Sequence, residues 1–235
     1  MSGSSTLDPA RPGDLEKLRT LVAELDQRVA AVIKHIHKTG ALPVVIGGGH
    51  NNSYGCLRGT AQHLGQPLNC INLDPHADFR MPEGRHSGNG FSYAKNEGYL
   101  EKYFVFGLHE SYNSRNLIDK AKEGEFMYLT HDSIVRGDVS LIEALYDAID
   151  KIRDRGCGLE LDMDGIAGAP SSAQTPSGFT PEQARYFVST CMKVLDVKYV
   201  HIAEGAPSLV QNGDLIIGKL ISYLVGDICK AVLTK

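Results

Sequence analysis

Six short apolar runs recur along the chain: LPVVIG from residue 42, LNCINLD from 68, KYFVFG from 102, FMYLT from 126, CGLELDMD from 157 and YVHIAEG from 199. Helically spaced stretches accompany them at 51–64, 90–98, 114–123, 139–155, 180–195 and 212–233. Strands that alternate with helices predict one mostly parallel α/β sheet, since parallel neighbours need a crossover between them. In such a sheet ligands bind in the crevice at the carboxyl ends of the strands, so polar residues just after each run are the candidates for chemistry.

Ahead of the first run, Asp14 is the expected cap of a long amphipathic helix reaching Lys38, with Leu18, Leu21, Val22, Leu25, Val29, Val32 and Ile33 as its apolar positions. Thr180, Pro181 and Glu182 mark the start of another helix, with a capping side chain, a proline at the first helical position and an acid in the first turn. Residues 1–13 are expected to be a flexible segment and 14–235 a single domain, with no internal repeat or long linker.

A chain of 235 residues is long enough for a core without staples. The net charge of −4 argues against bulk electrostatic attraction to nucleic acid or a membrane surface. No signal-like apolar segment or spanning stretch is present. The five cysteines are odd in number and show no CxxC pair, so they are expected to be reduced and mostly buried, and the protein cytoplasmic.

Three strand ends carry the chemistry. VVIGGGHNNSYG delivers His50 from a glycine-rich turn; INLDPHADFR places Asp74, His76 and Asp78 at alternate positions; LELDMDGIAGAP places Asp162 and Asp164 two apart, with Met163 turned into packing. An extended backbone would project alternate side chains to one side. Four carboxylates and two imidazoles at one sheet edge imply cations, because carboxylates left together repel and drive their pKa values up. Two divalent ions sharing bridging carboxylates suit this number of ligands, and oxygen and imidazole donors without thiolate favour a fairly hard ion such as Mn²⁺.

GGGH, DPHAD and LDMDG, in that order, resemble the signature motifs of the ureohydrolases, the family of arginase, agmatinase and formimidoylglutamase, over about residues 42–235. The resemblance implies an arginase-like three-layer α/β fold with two Mn²⁺ per chain, bridged by Asp74 and Asp162. His50 and Asp78 would complete one ion's ligands and His76 and Asp164 the other's. It further implies hydroxide attack on the trigonal carbon of a guanidino or formimidoyl group, with Asp78 passing a proton to the leaving nitrogen. Glu204 matches the family's acid that holds the cationic substrate group.

The chain departs from arginase in RHSGNGFSYA, where Ser87 and Asn89 match a substrate-side segment but Phe91 stands in place of the proton-shuttling histidine. This stretch, with IAGAPSSAQTPSGF, is closer to the formimidoylglutamase branch. Its substrate, N-formimidoyl-L-glutamate, carries two carboxylates, for which Arg80, Arg85 and His86 are candidates. Agmatine or another guanidino compound is the alternative substrate. The family's N-terminal strand has no counterpart in the chain, which implies an exposed sheet edge and, with it, a homo-oligomer or a non-catalytic, metal-binding subunit as the competing class.

Overall fold

The structure, a computed structural model, describes residues 7–234; residues 1–6 of the segment expected to be flexible lie outside the described residues. All six apolar runs form strands: β1 (Val44–Ile46), β2 (Leu68–Leu73), β3 (Leu100–Leu108), β4 (Met127–Thr130), β5 (Cys157–Asp162) and β6 (Val197–Ala203). They make one sheet in the order β1-β6-β5-β2-β3-β4, and every pairing is parallel. β1 is an edge strand, with Val44 and Ile46 exposed.

The helices are α1 (Pro12–Lys38), α2 (Asn52–Leu64), α3 (Gly90–Asn96), α4 (Arg115–Lys122), α5 (His131–Val135), α6 (Leu141–Ile152), α7 (Pro181–Val194) and α8 (Gly213–Leu233). β2 and β5 are buried on both faces, so consecutive residues feed opposite layers. Ile71, Phe104, Leu159 and Val200 pack with residues of α6, α7 and α8. Cys70, Tyr103 and Tyr199 pack on the other side with residues of α1 to α4. The result is three layers. Thr180 caps α7 through the backbone N–H of Gln183, with Pro181 in the first turn. Among the described residues no helix is long and apolar enough to cross a membrane. All five cysteines are free, and Cys229 is the exposed one.

Two expectations for α1 need correction. The helix starts at Pro12, with Arg11 as its cap residue, so Asp14 sits in the first turn, where an acid still complements the helix dipole. Leu21, Leu25 and Val32 are exposed, whereas Asp26, Ala30 and Ile33 are buried. The helix lies on α2, and its inward stripe admits a charged residue because Asp26 meets a buried partner, Arg85, there.

Between β2 and β5 the direction of the connections reverses. From β2 the chain moves outward through β3 and β4; from β5 it moves the other way to β6. A crevice opens at such a switch point, outside the carboxyl ends of the two strands. Asp74 follows β2 and Asp162 ends β5, one on each side of it.

Candidate metal centre

His50 reaches the crevice from the turn between β1 and α2. Gly47 and Gly48 adopt φ of 89° and 76°, a region that favours glycine, and this reversal carries the chain back over the sheet. At the β2 end, Pro75 lacks the N–H needed to continue the ladder. The extended backbone expected for Asp74, His76 and Asp78 is therefore not what aligns them. Asp74 Oδ1 accepts the His76 N–H at 2.7 Å in a local turn, and Asp78 takes a φ of 47°. Asp162 accepts the Asp164 N–H at 2.7 Å in the same way. Met163 is fully buried in the core, as its position predicted.

These turns gather the side chains around His50. Its Nδ1 lies 3.0 Å from Asp162, 3.1 Å from Asp74 and 3.1 Å from Asp78, counted to a carboxylate oxygen of each. One ligand atom from each of these four residues falls within 4.8 Å of all the others. His76 and Asp164 stand on the outer side: His76 Nδ1 is 3.4 Å from Asp74 and 3.9 Å from Asp164. Ser172 Oγ donates to Asp164 at 3.1 Å, and the Ala173 N–H donates to it at 2.8 Å.

Without a cation the cluster is electrostatically frustrated. Burial, then the charge of Asp74, pushes Asp78 up to about 6. The same two causes raise Asp162 well above the usual carboxylate range. Burial also opposes ionisation of Asp74, but the neighbouring imidazoles of His50 and His76 outweigh it and hold Asp74 at about 2. Burial works against charge on His76 too, yet the carboxylate of Asp74 raises it to about 9. Protons shared among close carboxylates are the usual substitute for a metal.

A cleft of about 300 Å³ opens above the cluster, lined by His76, Asp78, Asp162, Asp164 and Glu204, and on its outer wall by Arg80, His86, Ser87, Tyr112 and Asn113. Glu204 sits at φ 62°, and its Oε1 accepts the backbone N–H of His50 at 2.6 Å. Arg80 is exposed and paired with Glu83 at 3.0 Å, with the His86 ring 3.4 Å from the same carboxylate.

Arg85 and Asn89 do not reach the cleft, contrary to the expectation that they bind substrate. Arg85 is buried: it pairs with Asp26 at 2.7 Å, donates to the Asn51 carbonyl at 2.9 Å and stacks over Tyr54. Asn89 is buried beside it and donates to the Gly84 carbonyl at 2.9 Å. An unpaired guanidinium inside the protein is costly, so the arginine follows its carboxylate inward. Together they tie the cleft-wall loop to α1 and to the His50 turn. Phe91 is likewise buried, with its ring edge-on to His50 at 5.3 Å.

Several supporting residues escaped the sequence reading. Asn72 donates to Asp74 at 2.9 Å and to the Tyr103 hydroxyl at 3.0 Å. Asn113 staples the turn after β2, accepting the Ala77 N–H and donating to the carbonyls of Pro75 and His109. Behind His50 lie Glu160, His201 and Tyr199, all fully buried. The available signal was a polar residue two positions before each aspartate inside an apolar run: Asn72 before Asp74, and Glu160 before Asp162.

A family model described as "Arginase family" matches residues 7–226. The chain belongs to the arginase family. Within the family it is 29% identical over 209 residues to the formimidoylglutamase of Geobacillus kaustophilus, covering 86% of this chain and 62% of that protein. The chain thus spans less than two thirds of that relative's length. In fold it resembles the formimidoylglutamase of Bacillus subtilis, with a TM-score of 0.78 at 20% identity, over 89% of this chain and 67% of that one. A variant of Trypanosoma cruzi formiminoglutamase solved with Mn²⁺ gives a TM-score of 0.76 at 20% identity, over 87% and 71%.

Proposed function

We propose that this arginase-family chain is a binuclear-metal hydrolase that cleaves a C–N bond of a linear amidine, with N-formimidoyl-L-glutamate as substrate and glutamate and formamide as products. The observation that carries this reading is the state of His50 Nδ1. It is fully buried and has no hydrogen-bond partner, yet it faces carboxylate oxygens of Asp74, Asp78 and Asp162 at 3.0–3.1 Å. A divalent cation answers both the orphaned nitrogen and the crowded carboxylates, and the donor set of carboxylates and imidazoles suits Mn²⁺. His50, Asp74, Asp78 and Asp162 would hold one ion; His76 and Asp164, sharing Asp74 and Asp162, would hold the second.

Ions bound there would supply Lewis acidity, lowering the pKa of water toward neutrality and polarising the C=N group. The protein's own groups do the rest. Glu204 lines the cleft, placing a carboxylate where paired N–H donors of an amidinium can meet it. Asp78 also faces the cleft and is positioned to take a proton and hand it to the leaving nitrogen. Arg80, His86 and Ser87 at the outer wall provide donors for the carboxylates of a glutamate skeleton, Arg80 exchanging its partner Glu83 for substrate. This outer wall, and the names of the relatives, favour formimidoylglutamate over a guanidino compound.

The test is twofold. Purified protein supplied with Mn²⁺ is expected to hold about two equivalents per chain by elemental analysis, and to release formamide from N-formimidoyl-L-glutamate. Urea release from arginine or agmatine at a comparable rate would overturn the substrate assignment. A folded protein that retains no metal would overturn the hydrolase reading in favour of a non-catalytic subunit.

A further inference from the structure

Glu160 is a fully buried carboxylate in the middle of the sheet, and such a group persists only where its charge is met by donors. Three donors surround it. The Tyr199 hydroxyl donates to Oε1 at 2.7 Å, while His201 Nδ1 and His50 Nε2 lie 2.7 and 3.2 Å from Oε2. Strand register builds the arrangement. Asn72, Glu160 and His201 pair across β2, β5 and β6 in one row; Cys70, Gly158 and Tyr199 form the row beneath, on the same face. A Cβ at residue 158 would lie 2.6 Å from ring atoms and the hydroxyl of Tyr199, so the glycine is what lets that hydroxyl reach Glu160.

We propose that Glu160 is a positioning residue for His50, holding its Nε2–H so that Nδ1 presents a lone pair to the metal site. The inference rests on the metal reading given above. A carboxylate accepts hydrogen bonds and donates none, so the imidazole nitrogen facing it carries the hydrogen. When a cation takes the side where Asp74, Asp78 and Asp162 converge, the single hydrogen of the neutral imidazole is thus kept on Nε2 and Nδ1 is free to bind the ion. Packing fixes the ring plane, since Phe91 and His201 both approach His50 edge-on. Glu160 decides which nitrogen faces which way, and its negative charge strengthens the imidazole as a ligand.

Glu160→Gln fills the same space without the charge. In calorimetric titrations of metal-free protein with Mn²⁺, this variant is expected to bind about 10–100-fold more weakly than the native protein. Its metal-free melting temperature is expected to fall, since an amide offers these three donors one oxygen in place of two, but unfolding should stay cooperative. With diamagnetic Zn²⁺ as probe, the His50 ring N–H resonance should move, because its acceptor is no longer charged. Equal Mn²⁺ affinity in the two proteins would overturn this inference alone. A loss of affinity with the His50 resonance unmoved would also overturn it, by reducing Glu160 to a core residue. If the native protein takes up no Mn²⁺, the metal reading fails and this one with it. Should Glu160→Gln not fold, Tyr199→Phe decides: weaker Mn²⁺ binding with a moved His50 resonance in a cooperatively folded protein supports the proposal, and unchanged binding overturns it.

Discussion

The ends of β2 and β5 are two versions of one device. Each strand runs out into an aspartate, Asp74 just after β2 and Asp162 at the end of β5, whose Oδ1 accepts the N–H two residues on, at 2.7 Å in both, and each carries a polar residue two positions before that aspartate, turned to the same face. They differ in what that earlier residue serves. Asn72 at the β2 end is neutral and donates to the carboxylate of its own strand, Asp74. Glu160 at the β5 end is anionic and reaches sideways, toward the imidazoles of His50 and His201. A carboxylate ligand is steadied by a donor and an imidazole ligand by an acceptor, so equivalent positions in two strands hold opposite chemistry.

Removing the aspartate of the β5 end should have the largest effect. Asp162→Ala removes a carboxylate proposed to be shared by both ions; turnover and bound Mn²⁺ should both fall by more than the roughly 10–100-fold that loss of an outer partner costs. Retained activity, measured by formamide release, would undo the site assignment. Asn72→Leu attacks the β2 half alone. It leaves Asp74 without its amide donor, and Mn²⁺ affinity by calorimetry should drop about 10–100-fold. If it does not, the neutral support behind Asp74 is only packing.

Titrating the metal-free protein sharpens the comparison without mutation. Asp78, at about 6, and His76, at about 9, are both raised above their ordinary values at the β2 end. A raised group adds stability that is complete below its unfolded value and disappears as pH climbs through its folded value. The metal-free melting temperature should therefore fall as pH climbs from about 6.5 to 9 and His76 gives up its proton, while Mn²⁺-loaded protein stays level over that range. A flat metal-free curve would show that protons do not stand in for the cation. The smallest expected effect is structural and belongs to the β5 half. Gly158→Ala pushes Tyr199 off Glu160, and overpacking of this kind costs about 1–3 kcal/mol in denaturant unfolding.

The sequence alone determined the α/β alternation, the carboxyl-end location of the chemistry and the six acidic and imidazole side chains that the fold draws to one crevice. These were legible because strands are short apolar runs and the residues that follow them must leave the core. Side-chain direction was not. Arg85 and Asn89 lie in the same loop as Arg80, His86 and Ser87, yet they point inward, because a carboxylate 59 residues earlier, Asp26, is buried under α1. No local pattern encodes that pairing. The row of Asn72, Glu160 and His201 was equally hidden, since its members are far apart in sequence and become neighbours only once the parallel strands settle into register. Identity and local spacing thus specify which residues leave the strands, while the choice between facing substrate and supporting a ligand is made by long-range pairing of buried charge.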